Sequence, residues 1–597
     1  MRTAHAALAR GNFKNAIATL RHAIATTPGN PNYHDLMAGV LFFQGQHEDA
    51  LPYARKALEL GPDTAAFLRG EGIILAALNR HEEAIRRLGR AIELAPQDID
   101  ARTALGATLE KVGRPREAEA HLREAVRAAP DAAEARYFLG MALCYQNKLP
   151  EAEEQFRWVL DLVPGHTKTL FELGRLLYEL DNAKGAGAAL EKVLKERPDS
   201  VDTLALLGKI CARRSDFETG EKMLRRAIDL SPSNPNTLEN LATFYLDWEK
   251  PREALQALAD AYKICPTSLG SLSGLSFFST EEIGFALSPA INQARQTFNA
   301  EGQTCPLVLN FAMARTLDKT KEYKDAWHEA VTANSIYRAT HQLETSAIVP
   351  FVKDAAAGMD AHMGQPPSAM PPAADQPLFI VIGGMPRSGK STAEKLIGQL
   401  PGVKLGYETN ILAEAVQDLN EKIGIKLIER LHDLPVSYYS QFGEALNDKL
   451  AARGGDSFAY TITLPMTYLI NNIPKILNSI PNSVILFLDR DAFDNALRIF
   501  FHFFHFAGHD YTYSLSSIIR QIEAWRSAIA WWSKAAPTRC LSIGYEDMIA
   551  DPAATLSKIC VFCGLSGAKS PLEPLPDDRG CAAPYREMME VELNNGE

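Results

Sequence analysis

Residues 384–391 combine the residue types and the spacing that bind phosphate. They have the sequence Gly-Met-Pro-Arg-Ser-Gly-Lys-Ser, which fits the phosphate-loop pattern G-x-x-x-x-G-K-[ST] at every fixed position. In such a loop, successive backbone N–H groups and the N-terminus of the following helix converge on a phosphate. The pattern therefore predicts a site for a phosphate-bearing ligand and leaves open which ligand that is.

The segments around this loop predict the elements that position it. An apolar, β-branched run at 378–382 precedes the loop and is typical of a buried strand, and a predicted helix at 393–400 follows it. Two further strands are predicted at 483–489 and 539–544. Because strands alternate with helices, we expect a parallel sheet between helical layers. Arg490 then lies at the carboxyl end of its strand, the edge of such sheets where ligands bind.

The first half of the chain repeats with a period of 34 residues. Eight prolines keep this period without a slip: Pro28, Pro62, Pro96, Pro130, Pro164, Pro198, Pro232 and Pro266. Glycines keep it too: Gly72, Gly106, Gly140, Gly174 and Gly208. The pattern predicts two short helices per repeat that cross at small residues, with the proline stopping the second helix. We expect Leu88, Leu122 and Phe156 to fill the large apolar position at this crossing.

These repeats resemble the tetratricopeptide repeat, with eight in-phase units between residue 1 and about residue 268. One helix pair cannot bury its apolar face alone, so neighbouring units stack into a solenoid. The resemblance implies that the array binds a peptide or a partner protein in its groove, forms a homodimer, or orients the second half of the chain. The sequence leaves these three roles open.

The patterns together predict a multidomain chain. An all-α tetratricopeptide solenoid at 1–268 precedes a helical connector at 269–353, in which residues 309–339 predict a diverged helix pair. The segment 354–377 is rich in proline and alanine and is predicted to be a linker. Residues 378–597 are predicted to form an α/β P-loop domain with three layers and a parallel sheet.

Composition limits the partners and the compartment. The net charge of −11 argues against broad affinity for nucleic acid or an anionic membrane. No run approaches the ~20 apolar residues of a membrane span, and the first residues lack the apolar core of a secretory signal. The eight cysteines are sparse and irregularly spaced, as in proteins of reducing compartments. We therefore expect a cytoplasmic protein.

The carboxyl-terminal domain has a second resemblance. The loop 384–391, Arg490 with Asp491, and the run 545–565 (YEDMIADPAATLSKICVFCGL) are together similar to sulfotransferases that use 3′-phosphoadenosine 5′-phosphosulfate (PAPS). The similarity extends to bacterial proteins in which tetratricopeptide repeats precede a sulfotransferase domain, and to protein-tyrosine sulfotransferases. It implies PAPS as co-substrate, an acceptor that carries a hydroxyl, and no required metal.

The resemblance also implies residue roles. Arg387 stands where the family places the basic residue that neutralises charge on the bridging oxygen, and Glu408 resembles the carboxylate that accepts the acceptor's proton. The 3′-phosphate would meet Arg490 and also Arg498, which replaces a family serine and can still bind phosphate bidentately. The expected donor-binding residues are Pro386, Arg387, Ser388, Gly389, Lys390, Ser391, Thr392, Arg490 and Arg498.

Two other functions stay open from the sequence. Lys390 and Ser391 complete a Walker A pattern, so a kinase or another P-loop NTPase is one alternative, with Ser391 and Asp489 holding Mg²⁺. A scaffold with an inactive transferase domain is the other. It is suggested by Arg498, by Ala492 in place of a family proline, and by 462–465, which lacks the family's Asp-Lys charges. His502 and His505 lack a third ligand, so we expect them to pack in a helix at 494–506 rather than bind metal.

Overall fold

The structure is a computed structural model, and it divides into two compact units, Met1–Pro198 and Asp199–Glu597. The division falls inside the repeats, so the domain boundaries predicted at 268, 353 and 377 stay predictions. Almost all of the predicted linker, residues 354–376, lies outside the described residues. The structure describes residues 13–61, 64–180, 182–214, 216–248, 250–300, 302–341, 377–406, 411–423, 431, 434–454, 458–504, 510–567 and 572–594.

The described part of the first unit is all helical. Its helices are α1 (Phe13–Thr26), α2 (Pro31–Phe43), α3 (His47–Leu60), α4 (Ala65–Ala77), α5 (His81–Leu94), α6 (Ile99–Lys111), α7 (Pro115–Ala128), α8 (Ala133–Tyr145), α9 (Leu149–Leu162), α10 (Thr167–Glu179) and α11 (Ala183–Glu196). Helix α5 ends two residues before Pro96, and α7 ends two residues before Pro130. The prolines therefore follow the second helix of each pair, as the period predicts.

Small residues let the two helices of a repeat approach closely. A Cβ atom built on Gly72 would lie 2.6 Å from Leu88 Cγ, and one on Gly140 would lie 2.5 Å from Phe156 Cε1. Leu88, Leu122 and Phe156 are each 0% exposed. The prediction that a small residue faces a large one where the two helices cross is confirmed. At Gly72 and Gly140, the facing Leu88 and Phe156 leave no room for a Cβ atom.

Leu122→Ala should lower the free energy of unfolding of the first unit by about 2–5 kcal/mol. Leu122 is fully buried against Gly106, so truncation removes apolar contacts and leaves a cavity. Denaturant titration followed by circular dichroism measures the loss. Leu162→Ala is the control, because Leu162 is 40% exposed at the end of α9, and it should change stability by less than about 1 kcal/mol. Equal losses for both variants would contradict the predicted packing.

The second unit begins with more helices of the repeat kind. They are α12 (Val201–Arg213), α13 (Phe217–Leu230), α14 (Pro235–Asp247), α15 (Pro251–Ile264), α16 (Leu269–Leu275), α17 (Thr280–Ile283), α18 (Ser288–Ala300), α19 (Leu307–Lys319) and α20 (Tyr323–His341). Helices α19 and α20 confirm the helix pair predicted at 309–339.

A parallel sheet of five strands follows, in the order β2-β3-β1-β4-β5. Its strands are β1 (Leu378–Gly384), β2 (Val403–Leu405), β3 (Ala459–Pro465), β4 (Ser483–Asp489) and β5 (Cys540–Gly544), and every neighbouring pair is parallel. The sequence predicted β1, β4 and β5. It missed β2, which has three residues, and β3, whose apolar run is interrupted by Thr461 and Thr463.

Helices cover both faces of this sheet. Along β1, Phe379 and Val381 pack into one hydrophobic cluster, while Ile380 and Ile382 pack into another. The helices are α21 (Lys390–Ile397), α22 (Ile411–Ile423), α23 (Tyr439–Gly454), α24 (Met466–Ser479), α25 (Ala492–Phe500), α26 (Leu515–Ala535), α27 (Tyr545–Ala550), α28 (Pro552–Cys563) and α29 (Arg586–Asn594). The expected fold class, a tetratricopeptide solenoid followed by a three-layer α/β domain with a parallel sheet, is confirmed.

The helix predicted at 494–506 extends too far, because α25 ends at Phe500. Side chains from the connector bind its last carbonyl groups. Asn334 Nδ2 donates to Phe500 O at 3.0 Å, and Arg315 Nη1 donates to Phe501 O at 3.1 Å. These contacts satisfy the carbonyl groups at the helix end, and they come from helices that no local pattern links to α25.

The end of the repeat array and the α/β domain share a core within the second unit. Leu224 from α13, Trp327 from α20 and Phe487 from β4 belong to the same cluster of buried residues. The Trp327 ring also packs against Phe500, with 5.3 Å between ring centroids. The described residues contain no helix with the length and apolar character that a membrane span requires.

Candidate active site

The loop predicted to bind phosphate joins β1 to α21, at the carboxyl edge of the sheet. Gly389 has φ +96°, in the left-handed region that favours glycine, and a Cβ atom at this position would overlap the Tyr545 ring. Gly384 is also required, because a Cβ atom there would overlap Ser388 Oγ. The two fixed glycines of the motif therefore stand where neighbouring side chains leave little room for a Cβ atom.

Polar groups on the inner side of this loop are buried. Ser388 is 1% exposed, and its Oγ has no hydrogen-bond partner among the described residues. Lys390 is also buried, and its Nζ donates to Gly384 O and Met385 O, each at 3.4 Å. The first backbone N–H groups of α21 have no acceptor within their own helix. The loop thus places several hydrogen-bond donors around one helix N-terminus, which suits an anion.

Two side chains hold the outer carbonyl groups of the loop. Asn495 Nδ2 donates to Pro386 O at 2.7 Å, and Arg490 Nη1 donates to Arg387 O at 3.0 Å. Arg387 itself adopts φ 62°, a strained conformation for a residue with a side chain. The loop is therefore fixed from α25 and from the end of β4. Ser391 is exposed and Thr392 half-buried on the first turn of α21.

Arg490 follows β4 directly and is 4% exposed. Its Nη2 lies 2.9 Å from Asp578 Oδ1, and its guanidinium stacks on the Tyr545 ring at 4.5 Å. Its Nε has no hydrogen-bond partner among the described residues. Arg490 therefore lies beside the phosphate loop and carries one donor that can bind a further acceptor.

Arg498 lies near Arg490, and both side chains bind the carboxylate of Asp578. Arg498 Nε is 3.2 Å from Asp578 Oδ2, and Tyr545 Oη donates to Asp578 Oδ1 at 2.6 Å. Burial would raise the pKa of Asp578, but the hydrogen bond from Tyr545 and the charges of Arg490 and Arg498 outweigh it and hold this pKa below its usual value. Arg498 Nη1 also reaches Asp318 Oδ2 of α19 at 3.3 Å.

Arg387 extends from the exposed side of the loop toward aromatic residues. Its Nη2 lies 2.9 Å from His502 Nδ1, and its guanidinium carbon lies 5.9 Å from the centroid of the Phe277 ring. His502 is in the loop after α25 and not in a helix, and His505 lies outside the described residues. Within the described ranges, no group of three or more His, Cys, Asp and Glu side chains is arranged to hold a metal ion.

Most of the predicted site residues lie together, and some contributing residues were missed. Residues 386–392, Arg490 and Arg498 surround the carboxyl edge of β1 and β4, whereas Glu408 lies outside the described residues. The sequence did not single out Asn495 or Asp578. Asp578 lies in a run without strand or helix periodicity, so only its charge distinguishes it.

Comparison with known proteins gives different matches for the two halves of the chain. A model of the sulfotransferase family matches residues 377–569. Models of the tetratricopeptide repeat match 36–99, 103–165 and 141–201. Protein-tyrosine sulfotransferase 2 of Gallus gallus is 26% identical over 214 residues, which are 32% of this chain and 52% of that protein. The chain thus spans about half the length of this curated relative.

Solved structures of repeat proteins resemble about a third of the chain. YrrB, described as a tetratricopeptide-repeat protein with an unusual peptide-binding site, is 28% identical with a TM-score of 0.26, and the match covers 31% of this chain and 95% of YrrB. MamA from Desulfovibrio magneticus RS-1 is 27% identical with a TM-score of 0.26, covering 28% and 96%. The family models give the conclusion: the segments between residues 36 and 201 are similar to tetratricopeptide repeats, and residues 377–569 are similar to the sulfotransferase family.

Proposed function

We propose that the chain is a sulfotransferase that moves a sulfuryl group from PAPS to a hydroxyl acceptor. One observation carries this proposal. Arg490, at the carboxyl end of β4, donates to Arg387 O of the phosphate loop at 3.0 Å and pairs with the same carboxylate as Arg498. A donor with phosphate at one end and a phosphosulfate at the other needs two anion sites near each other, and the contact between Arg490 and the loop supports this proposal.

The loop has the chemistry to hold the phosphosulfate end. Ser388 Oγ is buried without a partner among the described residues and lies beside the N-terminus of α21. Lys390 adds a positive charge on the same side of the loop. Arg387 is the cation assigned to the bridging oxygen, where negative charge develops as the sulfuryl group leaves.

The arginine pair has the chemistry to hold the 3′-phosphate. Arg490 and Arg498 converge on the two oxygens of Asp578, at 2.9 and 3.2 Å. A phosphate offers the same charge and a similar spacing of oxygens, which guanidinium groups bind bidentately. The convergence on Asp578 supports Arg490 and Arg498 as an anion site, in which a phosphate would replace contacts of Asp578 or bind the open Nε donor of Arg490.

The proposed reaction forms one bond to sulfur and breaks one. The acceptor oxygen bonds to sulfur, the bond from sulfur to the bridging oxygen breaks, and adenosine 3′,5′-bisphosphate leaves. The acceptor proton passes to a carboxylate, for which we propose Glu408. The acceptor class stays a proposal. The name of the curated relative favours a peptide tyrosine over a carbohydrate hydroxyl.

The repeats would recruit the acceptor protein or another partner through their groove. The family match of residues 36–201 supports this role, because stacked repeats present an extended concave surface. We also propose a reducing, cytoplasmic location. All eight cysteines lie in described residues, and none is paired in a disulfide.

The NTPase alternative rests on Lys390 and on Asp489 as a residue for Mg²⁺. In the described structure, Asp489 Oδ1 accepts from Arg526 Nε at 2.9 Å and from the backbone amide of Arg490 at 3.0 Å. A carboxylate already paired with an arginine is a poorer ligand for Mg²⁺. This contact favours the sulfotransferase over the NTPase.

Adenosine 3′,5′-bisphosphate should bind the full chain in the absence of metal, because the proposed site is built from arginines and backbone amides. Isothermal titration calorimetry should compare this ligand with ADP, each with and without Mg²⁺. Binding of ADP that depends on Mg²⁺, with no binding of the bisphosphate, would establish the NTPase instead. Absence of binding by either nucleotide would favour the inactive scaffold.

A further inference from the structure

Arg315 is a buried arginine of the connector helix α19 that forms no ion pair with a carboxylate among the described residues. Its Nε donates to Ser276 Oγ at 2.9 Å, and its Nη1 donates to Phe501 O at 3.1 Å. Its remaining hydrogen bonds go to the carbonyl and hydroxyl oxygens of Ser273, at 3.5 and 3.3 Å. All of these acceptors are neutral, so within the part of the chain that the structure describes no acid pairs with this positive charge.

A second arginine lies close to this charge. The guanidinium carbon of Arg315 lies 4.2 Å from the centroid of the Phe277 ring, and that of Arg387 lies 5.9 Å from the same centroid. Burial and, as the smaller cause, the charge of Arg387 together lower the pKa of Arg315 to about 9. Arg315 is therefore still a cation at neutral pH, in a position where burial and repulsion both oppose its charge.

Such an arrangement is unfavourable without an anion. A buried charge is usually paired with an opposite charge. Arg295 and Arg490 of this unit follow that rule, whereas buried Arg539 is bonded by carbonyl and hydroxyl oxygens, as Arg315 is. Arg295 of α18 pairs with Glu329 at 2.7 Å, and Arg490 pairs with Asp578 at 2.9 Å. Arg315 differs from these arginines in that the charge shifting its pKa is that of Arg387, in the phosphate loop.

The same helix also reaches the second anion site. Asp318 lies one turn after Arg315, and its carboxylate accepts from Arg498 Nη1 at 3.3 Å and from Tyr585 Oη at 2.8 Å. Residues three apart lie on one face of a helix. This face of α19 therefore contacts the surroundings of the loop through Arg315 and the arginine pair through Asp318.

We propose that Arg315 is a positioning residue of the donor site, which raises the affinity of the phosphate loop for the anionic end of the donor. It acts in two ways. Its charge adds to that of Arg387, and its contacts with Ser273, Ser276 and Phe501 O hold Phe277 against Arg387 and His502. The Phe277 and His502 ring centroids are 5.7 Å apart. The inference rests on the proposed function, and it makes the connector part of the catalytic unit.

Arg315→Met in the full chain should weaken the binding of adenosine 3′,5′-bisphosphate about 10-fold, because a unit charge within about 10 Å of an anion in a partly buried site has an effect of this size. Arg315→Lys keeps the charge and should stay within about 3-fold of the unaltered chain. Arg295→Met is the matched control from the same connector and should leave affinity unchanged. Calorimetry at two salt concentrations measures all three, with thermal unfolding alongside.

The outcomes separate a charge effect from a structural one. If Arg315→Met lowers the thermal midpoint but binds the bisphosphate as tightly as the unaltered chain, the proposal is wrong. It is also wrong if Arg315→Lys loses as much affinity as Arg315→Met. Should Arg315→Met not fold, Arg315→Gln removes the charge while keeping hydrogen-bond donors. If the unaltered chain itself does not bind the bisphosphate, the proposed function fails, and not this inference alone.

Discussion

Arg490→Ala is expected to lower the affinity of the chain for adenosine 3′,5′-bisphosphate by about 100-fold or more. Arg490 is 4% exposed, so its charge acts where water screens it little. Removing one partner of a buried, hydrogen-bonded charge pair costs about 2–5 kcal/mol, and about 1.4 kcal/mol corresponds to a factor of ten. The variant also removes the donor to Arg387 O, so the loop loses one of its two outer supports.

Arg490→Ala should still fold, because Asp578 keeps its contacts with Arg498 and Tyr545. Calorimetric titration of the bisphosphate measures the effect, with thermal unfolding as the check on folding. Arg520→Ala is a matched control, since Arg520 donates to the Ser516 and Ser517 hydroxyls on its own helix. An affinity within about 3-fold of the unaltered chain would remove Arg490 from the donor site.

The sequence predicted those parts of the site that lie within one continuous segment. The loop between Gly384 and Ser391 could be recognised because its glycines, lysine and serine have fixed spacing in the chain. Arg490 could be placed because it directly follows an apolar strand, and the ends of parallel strands share one edge of the sheet. Glu408, outside the described residues, remains a prediction.

Contacts between distant segments could not be predicted in this way. Asp578 is 88 residues from Arg490, and Arg315 is 186 residues from Phe501. The periodicity of apolar residues along one segment does not show which helix packs against which strand end. The sequence assigned Arg498 to the 3′-phosphate but gave no sign that Asp318 of the connector would bind it too. The error at the end of α25 has the same origin, because its last carbonyl groups are bound by connector side chains.

Gly389→Ala should abolish measurable binding of the bisphosphate. Gly389 has φ +96°, so any side chain strains the backbone by about 1–2 kcal/mol. An added Cβ would also overlap the Tyr545 ring. Tyr545 cannot move without consequence, because it donates to Asp578 at 2.6 Å and lies under Arg490. One methyl group would therefore disturb the loop and the arginine pair together.

Gly564→Ala separates the steric effect from the backbone strain. Gly564 has φ +67° at the end of α28, and a Cβ atom there would meet nothing within 4 Å. Both variants should lose about the same stability from backbone strain, measured by denaturant titration, but Gly564→Ala should bind the bisphosphate as the unaltered chain does. If Gly389→Ala also bound normally, the loop would not hold the donor. If both variants lost binding, the cause would be general instability and not the contact with Tyr545.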